Sequence, residues 1–533
     1  MTVRSLRSTR SAPAEPAPNQ VGLPRRRWPV LLIVCATGFL VSKDISMHAI
    51  AVPTLLQQLG DRDVLAFSLW IPKSYVISHV AFLMLGGVLC DRFGPKPLLT
   101  YGYLGYLIGQ FAHLALETTS LPLMIARILM GVSAAAMVPA ALATLLRASA
   151  PGLQRAQAIL LWGAAIAAGV TVVPLISALL LGHVWWTRVI AVESVIAIAL
   201  FVGIIVLVPA SRPDPDAVVD WPSVIATVAG AALLALGFIT APDWGWTSPA
   251  VLVTLIASTG LLVVATMMRR AVELPHDWLL RAEPRVRPAM FALATAVVAT
   301  FGMVFLVVQY LQAVRTEYPV LAGFAIFGPT CAATGFGAWA GAALYRRTNS
   351  IVPLIVGLTT VLDGLAVGLL ADVDGGLVPI VVMATVVNAG LAIVMTVALG
   401  AISAALPATR HGIPFAAQSV VVQLGSMLGV AMVSGLVGEG YKAKFVVPAQ
   451  VAARDGLTVT GEPLGRSVAT AISVDDQLGW QLASAVRTAF LVGFRHGVVA
   501  LLLLVVVMMA VILILAARLP AAERAREQVD RLS

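Results

Sequence analysis

Six ionisable side chains stand inside long apolar stretches of this 533-residue chain: Asp44, Lys73, Arg127, Glu193, Asp363 and Arg495. A charge in hydrocarbon is costly, so such residues are functional candidates by default. Counted from the outer end of its stretch, Asp44 lies nine residues before Pro53, roughly 13 Å deep at 1.5 Å per residue. The other five come out at roughly 9 to 13 Å by the same count. Charges from six segments at one depth point to a shared polar cavity; separate structural ion pairs are the alternative. A carboxylate desolvated there holds a proton more readily, so Asp44 would bind and release one near neutral pH. Asp44 and His48 share a helical face at i, i+4, a spacing that suits a proton relay, although His48 alone is more often a satisfied packing residue. Arg127 keeps its proton and would act by switching carboxylate partners. Glu193 and Asp363 are further proton or substrate sites on depth alone.

Three acids face at least three bases, with Lys43 and Lys73 among the latter, so the cavity is not clearly anionic. Lys43 and Asp44 are adjacent, about 100° apart on a helix, and cannot both point squarely inward. Lys73 is therefore expected to pair with Asp44, and neutral or zwitterionic amphiphiles to be handled better than dications. Trp70, Tyr75, Phe305 and Tyr310 would suit an amphipathic molecule as cavity lining, with helix packing or interface anchoring as the other reading of each.

The elements that position these residues follow from composition. Apolar residues make up 59% of the chain and charged ones 11%, with a mean hydropathy of +0.94. A soluble surface needs more charge than that. Apolar runs near 29–53, 66–90, 97–117, 121–146, 157–182, 187–209, 221–241, 249–268, 288–311, 321–344, 351–371, 377–402, 411–437 and 488–516 are each long enough to cross about 30 Å of bilayer. The predicted fold class is an all-α polytopic membrane protein with 14 transmembrane helices. Basic residues crowd alternate loops (Arg92, Lys96, Arg147, Arg269, Arg346, Arg410) and the N-terminal tail, which places both termini in the cytoplasm. The expected organisation is a disordered basic tail 1–28, a six-helix bundle 29–209, a central helix pair with linkers 210–287, a second bundle 288–516 containing an external loop 438–487, and a tail 517–533. Two bundles around a midplane cavity are a transporter plan.

Several other classes are disfavoured. The net charge of +9 forms no stripe interleaved with aromatics, so no nucleic-acid partner is expected. Cys35, Cys90 and Cys331 lack metal-ligand spacing and read as packing residues. No metal or cofactor is expected. No G-x-x-x-x-G-K-[ST] loop supports ATP-driven pumping. An integral-membrane lipid-linked transferase would need a clustered acidic or His motif in a loop, and Asp372 with Asp374 is a weak one. Residues 29–53 are too long for a signal peptide and carry Lys43 and Asp44.

The sharpest motif is Gly87-Val88-Leu89-Cys90-Asp91-Arg92-Phe93-Gly94-Pro95-Lys96, between the second and third spans. Its glycines permit a tight turn and its charges can meet neighbouring helix ends. In this motif the chain resembles the major facilitator superfamily, whose signature loop has the form G-x-L-x-D-R-x-G-x-K. Asp44 through Pro53, Trp70 and Tyr75, Arg127 with Gly131 and Pro139, Asp220-Trp221, Trp244-Gly245-Trp246 and Tyr310-Leu311-Gln312 are similar to the fourteen-helix drug–proton antiporter branch. Two departures stand out. Met130 replaces the usual glutamine after the fourth-span arginine, and of the fifth-span antiporter motif only Gly169 and Pro174 survive. The resemblance implies a major-facilitator fold, Asp44 and Arg127 as proton-coupling residues, and Gly87, Asp91, Arg92, Gly94, Lys96, Gly169 and Pro174 as parts of the conformational gate. It also implies a monomeric, non-enzymatic exporter of small amphipathic molecules in exchange for protons. A physiological exporter of a lipid or secondary metabolite is the nearest alternative.

Overall fold

The computed structural model describes residues 28–59, 70–115, 120–149, 186–210, 219–268, 286–314, 319–348, 350–373, 375–404, 412–444 and 480–517, with parts of 154–169. The predicted tails, the side chain of His48, Pro174, Asp374 and residues 445–479 of the expected external loop lie outside these. All regular structure among the described residues is helical. The helices are α1 (Trp28–Leu59), α2 (Trp70–Phe93), α3 (Pro95–Ala115), α4 (Ser120–Ala148), α5 (Trp186–Leu207), α6 (Trp221–Trp244), α7 (Pro249–Met268), α8 (Val286–Val314), α9 (Pro319–Arg347), α10 (Ile351–Gly368), α11 (Val378–Ala404), α12 (Gly412–Lys444) and α13 (Trp480–Ala517). Further helical residues at 154–169 occupy the start of the predicted fifth span. By length and apolar content, ten of the described helices can cross a membrane. Exposed apolar side chains such as Val253 and Ile256 of α7, and Leu503, Val507 and Ile514 of α13, give these helices a lipid-compatible face.

Small residues set the closest helix contacts. A Cβ at Gly131 of α4 would meet the Tyr75 carbonyl of α2 at 2.5 Å, and one at Gly86 would collide with the Ala135 carbonyl, so α2 and α4 approach backbone to backbone. The same device joins α9 to α11, where a Cβ at Gly341 would lie 3.0 Å from Ile393. Between apolar helices in lipid, dispersion at such short range replaces the hydrophobic drive available in water.

Two large apolar clusters result. One is drawn entirely from α8–α13, from Ala289 to Ile512. The other gathers α1–α5 and Trp162, and it also takes in Val286, Met290, Leu399, Ile402 and Phe415. Those five lie on the side where α1 begins and α13 ends, termed here the terminal side. The two halves are therefore packed together on that side. α6 and α7 pair with each other through Ser258 Oγ, which donates to the Gly230 carbonyl at 2.8 Å. Asp220 accepts from Ser223 Oγ at the start of α6, and Gly245, at φ +86°, turns the chain into α7. The Trp70–Trp244 ring pair, with centroids 6.4 Å apart, joins this hairpin to α2.

One boundary differs from expectation. Residues 438–444 and 480–487, assigned by composition to an external loop, continue α12 and α13 as helix. Glu439 and Lys442 pair at 3.3 Å along α12. A helix has no reason to stop at the hydrocarbon edge while i, i+3 neighbours still support it.

Candidate functional site

The site forms around the middle of α1, where Lys43 and Asp44 are buried to 3% and 1% exposure. Gly169 packs directly against them: a Cβ there would meet the Phe39 carbonyl at 2.6 Å, the Lys43 backbone nitrogen at 3.1 Å and the Ser42 hydroxyl. On the other flank, Thr37 and Tyr103 share a 2.8 Å hydrogen bond that couples α1 to α3. α1 is thus clamped on both sides of its charged pair.

Lys43 Nζ lies 2.8 Å from Asp44 Oδ1 and 2.6 Å from Glu193 Oε2 of α5, so one ammonium bridges two carboxylates. Asp44 Oδ2 accepts from the Tyr106 hydroxyl of α3. Arg127 of α4 brings Nη1 to 3.9 Å from Asp44 Oδ1 and donates through Nη2 to the Asp44 carbonyl at 3.4 Å. Glu193 also accepts from Gln110 Nε2 at 3.4 Å. The Arg127 guanidinium stands over the Tyr75 ring, 4.8 Å from its centroid, and the His79 ring stacks near-parallel to the Tyr75 ring with centroids 5.9 Å apart. Two basic and two acidic side chains thus sit together in one largely buried core and serve as one another's counter-charges.

Of the six charges predicted at one depth, the structure brings together Asp44, Arg127 and Glu193 and adds Lys43. The expected Asp44–Lys73 pairing is replaced. The ammonium that meets Asp44 is that of its neighbour Lys43, whose four-carbon stem spans the angular gap between adjacent positions. Lys73 instead stands over Trp70, 5.5 Å from the ring centroid. Asp363 is exposed on the face of α10 opposite its buried Leu354, Leu358 and Leu365 stripe and does not reach the cluster. Arg495 donates to the Ala371 carbonyl at 3.4 Å, in the other half. Among the aromatics, Tyr75 belongs to the charged core, its hydroxyl donating to the Val41 carbonyl at 3.4 Å. Tyr310 is fully buried, donates to the Asp372 carbonyl at 2.8 Å and packs on Phe494, so it bolts α8 to the α10–α11 turn rather than lining a cavity. Sequence reasoning passed over Tyr106 and Gln110. Their signal was a polar stripe on α3, Tyr103-Tyr106-Gln110-His113, at helical spacing within a span.

The signature turn folds as its glycines require. Gly94, at φ +85°, ends α2 in the left-handed region and donates to the Cys90 carbonyl at 2.9 Å before α3 begins at Pro95. Gly87 is buried in the last turns of α2, with Asp91 and Arg92 after it. The Arg92 guanidinium lies 5.6 Å from the Phe93 ring centroid. Lys96 Nζ donates to the Ile205 carbonyl at 2.9 Å, a cation on the C-terminal end of α5. This ties α3 to the helix that carries Glu193.

Two cavities lie outside the charged core. One, of about 130 Å³, is walled by α8, α9, α11, Val422 of α12 and Ile159, Gly163 and Ile166, and its wall is almost wholly apolar. The other, of about 1320 Å³, is on the side opposite the termini and is bounded by Lys73, Trp244, Trp246, Phe305, Gln309 and Glu439. The structure is therefore packed shut on the terminal side and hollow on the far side, among the described residues.

A family model described as Major Facilitator Superfamily matches residues 34–430. The chain is 28% identical over 427 residues to the tetracenomycin C resistance and export protein of Streptomyces glaucescens, covering 78% of this chain and 77% of that one. It is 26% identical over 486 residues to the multidrug efflux pump LfrA of Mycolicibacterium smegmatis, covering 89% and 94%. Among solved structures, the human organic anion transporter MFSD10 (TETRAN) superposes with a TM-score of 0.59 at 12% identity, covering 92% of this chain and all of that one. That last likeness concerns the fold alone.

Proposed function

The chain belongs to the major facilitator superfamily, and from that premise we propose that it exports amphipathic small molecules across the bacterial cytoplasmic membrane in exchange for protons. The relatives support the direction and the substrate breadth, being resistance, export and efflux proteins by name. Proton exchange rests on one observation: the buried Lys43–Asp44–Glu193–Arg127 network, separated from the apolar cavity.

In this mechanism Glu193 takes the proton. Asp44 has Lys43, Arg127 and Tyr106 as partners, whereas Glu193 has Lys43 and Gln110 and is the more accessible carboxylate, 11% exposed against none. Protonating Glu193 releases Lys43 to Asp44, so that both remaining cations, Lys43 and Arg127, share that one carboxylate. Protonating Asp44 would strip Arg127 of its nearest carboxylate. The proton thus loosens α5 from α1, and its departure draws them together again. Alternation of access then follows from parting of the halves at the terminal side, which this reading assigns to the cytoplasm, and one copy of the chain suffices.

Proteoliposomes containing a trapped pH dye test the exchange. Inward movement of chloramphenicol should drive protons outward in proportion. Transport of chloramphenicol without any proton movement would remove the coupling from the proposal.

The signature turn carries a second expectation. Lys96→Ala removes one charge-assisted bond to α5, worth about 1 kcal/mol net, and should slow export about fivefold while insertion is unchanged. Initial rates at matched membrane abundance decide it, and equal rates would strip the Lys96–Ile205 contact of any part in gating.

A further inference from the structure

The apolar cavity has a wall with an unusual pair of groups in it. Thr300 of α8 and Thr330 of α9 both line it. They are 3% and 4% exposed, and the hydroxyl of each, covered in this packed state, has no hydrogen-bond partner among the described residues. Threonines in helices ordinarily donate to the carbonyl four residues back, as Thr334 and Thr396 of the same wall do at 2.8 Å. A buried hydroxyl without a partner costs free energy, and two of them in one cavity wall call for a ligand that supplies partners. No carboxylate, amine, guanidinium or imidazole is among the described residues of the wall. The acids that a cationic ligand would need are held by Lys43 and Arg127 inside the other half. A cation entering this cavity would be desolvated with no counter-charge.

We propose that this cavity selects uncharged ligands that carry hydrogen-bonding oxygen atoms, bound through the hydroxyls of Thr300 and Thr330. The inference rests on the export reading and names the substrate class for it. The apolar body of the ligand contacts Phe301, Val304 and Met395, while the two hydroxyls orient it. A drug-sized molecule requires more than 130 Å³, so the halves part around it, but the polarity of the wall travels with α8 and α9.

Everted membrane vesicles from cells making the full chain, energised to be acid inside, provide the test. The probes are radiolabelled chloramphenicol, which is uncharged with an amide carbonyl and two hydroxyls, ethidium as a monocation and methyl viologen as a dication. Chloramphenicol is expected to accumulate, and the two cations to accumulate poorly. Thr300→Val and Thr330→Val keep the shape and remove the hydroxyl, so each should raise the KM for chloramphenicol about fivefold, with maximal rate and thermal stability undiminished. Thr300→Ser and Thr330→Ser, which keep the hydroxyl, should stay at the wild-type KM. Ethidium accumulating as well as chloramphenicol would overturn the inference and leave export standing. Valine variants with unchanged KM, or serine variants as impaired as valine ones, would overturn the threonine assignment. Accumulation of none of the probes would overturn the export reading and this inference with it.

Discussion

Glu193→Gln is expected to abolish accumulation of substrate driven by a pH gradient while downhill exchange of substrate persists. The amide imitates the protonated acid. It can still accept from Gln110, and it leaves Lys43 to Asp44, so the remaining charges are one Lys43–Asp44–Arg127 group with a surplus cation next to Tyr106. The network is then locked in what the mechanism takes as its proton-loaded form. Asp44→Asn should differ in kind. It removes the carboxylate on which Lys43, Arg127 and Tyr106 all converge, which breaks a buried ion group and costs about 3–5 kcal/mol. Loss of folded protein should therefore accompany its loss of transport. Counterflow of labelled chloramphenicol in proteoliposomes separates the two variants. Gradient-driven accumulation surviving in Glu193→Gln would mean that the proton rides on another group.

Removing the bridging ammonium should have the other large effect. Among the described residues, Lys43→Met leaves Arg127 as the one cation beside Asp44 and Glu193, a surplus of one anion in a core with 3% exposure at position 43. One acid must then stay protonated or the core must admit water. Folded stability is expected to fall by about 3–5 kcal/mol, as for other buried pairs that lose one member. The double variant Lys43→Met with Glu193→Gln restores balance, with one anion on one guanidinium, and should regain much of that loss. A thermal-stability series on the two single variants and the double one measures the coupling directly, since contacting residues depart from additivity where distant ones do not. Strict additivity would mean that the Lys43–Glu193 contact contributes nothing energetically. Transport in the double variant should remain uncoupled, because balance is regained without a carboxylate to carry the proton.

Much of the architecture was legible from residue types. Composition and the length of the apolar runs dictated lipid as the solvent, and hence helices that satisfy their own backbones. The Gly87–Lys96 motif set a helix–turn–helix corner whose Gly94 takes the left-handed conformation only glycine adopts freely. Asp220 stands just before α6 and Gly245, at φ +86°, just after it, although the apolar run near 221–241 stops short of the helix end at Trp244. The depth of Asp44, Arg127 and Glu193 was also readable, since distance along a helix is a fixed rise per residue.

Which charges meet was decided only by the tertiary structure. Depth is one coordinate; a contact also needs the rotation of each helix and the order in which helices pack. Asp363 shares the predicted depth of the cluster but faces away on α10, whereas Tyr106 and Gln110 face inward on α3. Lys43 looked unable to join Asp44 because their side chains leave the helix about 100° apart. With Glu193 of α5 and Arg127 of α4 packed around α1, however, a buried ammonium has nowhere else to place its charge, and its flexible stem lets it bend to both carboxylates. The orphaned hydroxyls of Thr300 and Thr330 belong to the same class of fact: a threonine in a span says nothing about its partner until the neighbouring helix and the cavity wall are in place. The sequence alone determined the solvent, the elements and their local punctuation, all of which depend on near neighbours along the chain. The packing of helices distant in sequence determined the chemistry, because a buried charge is balanced by whatever the fold brings beside it.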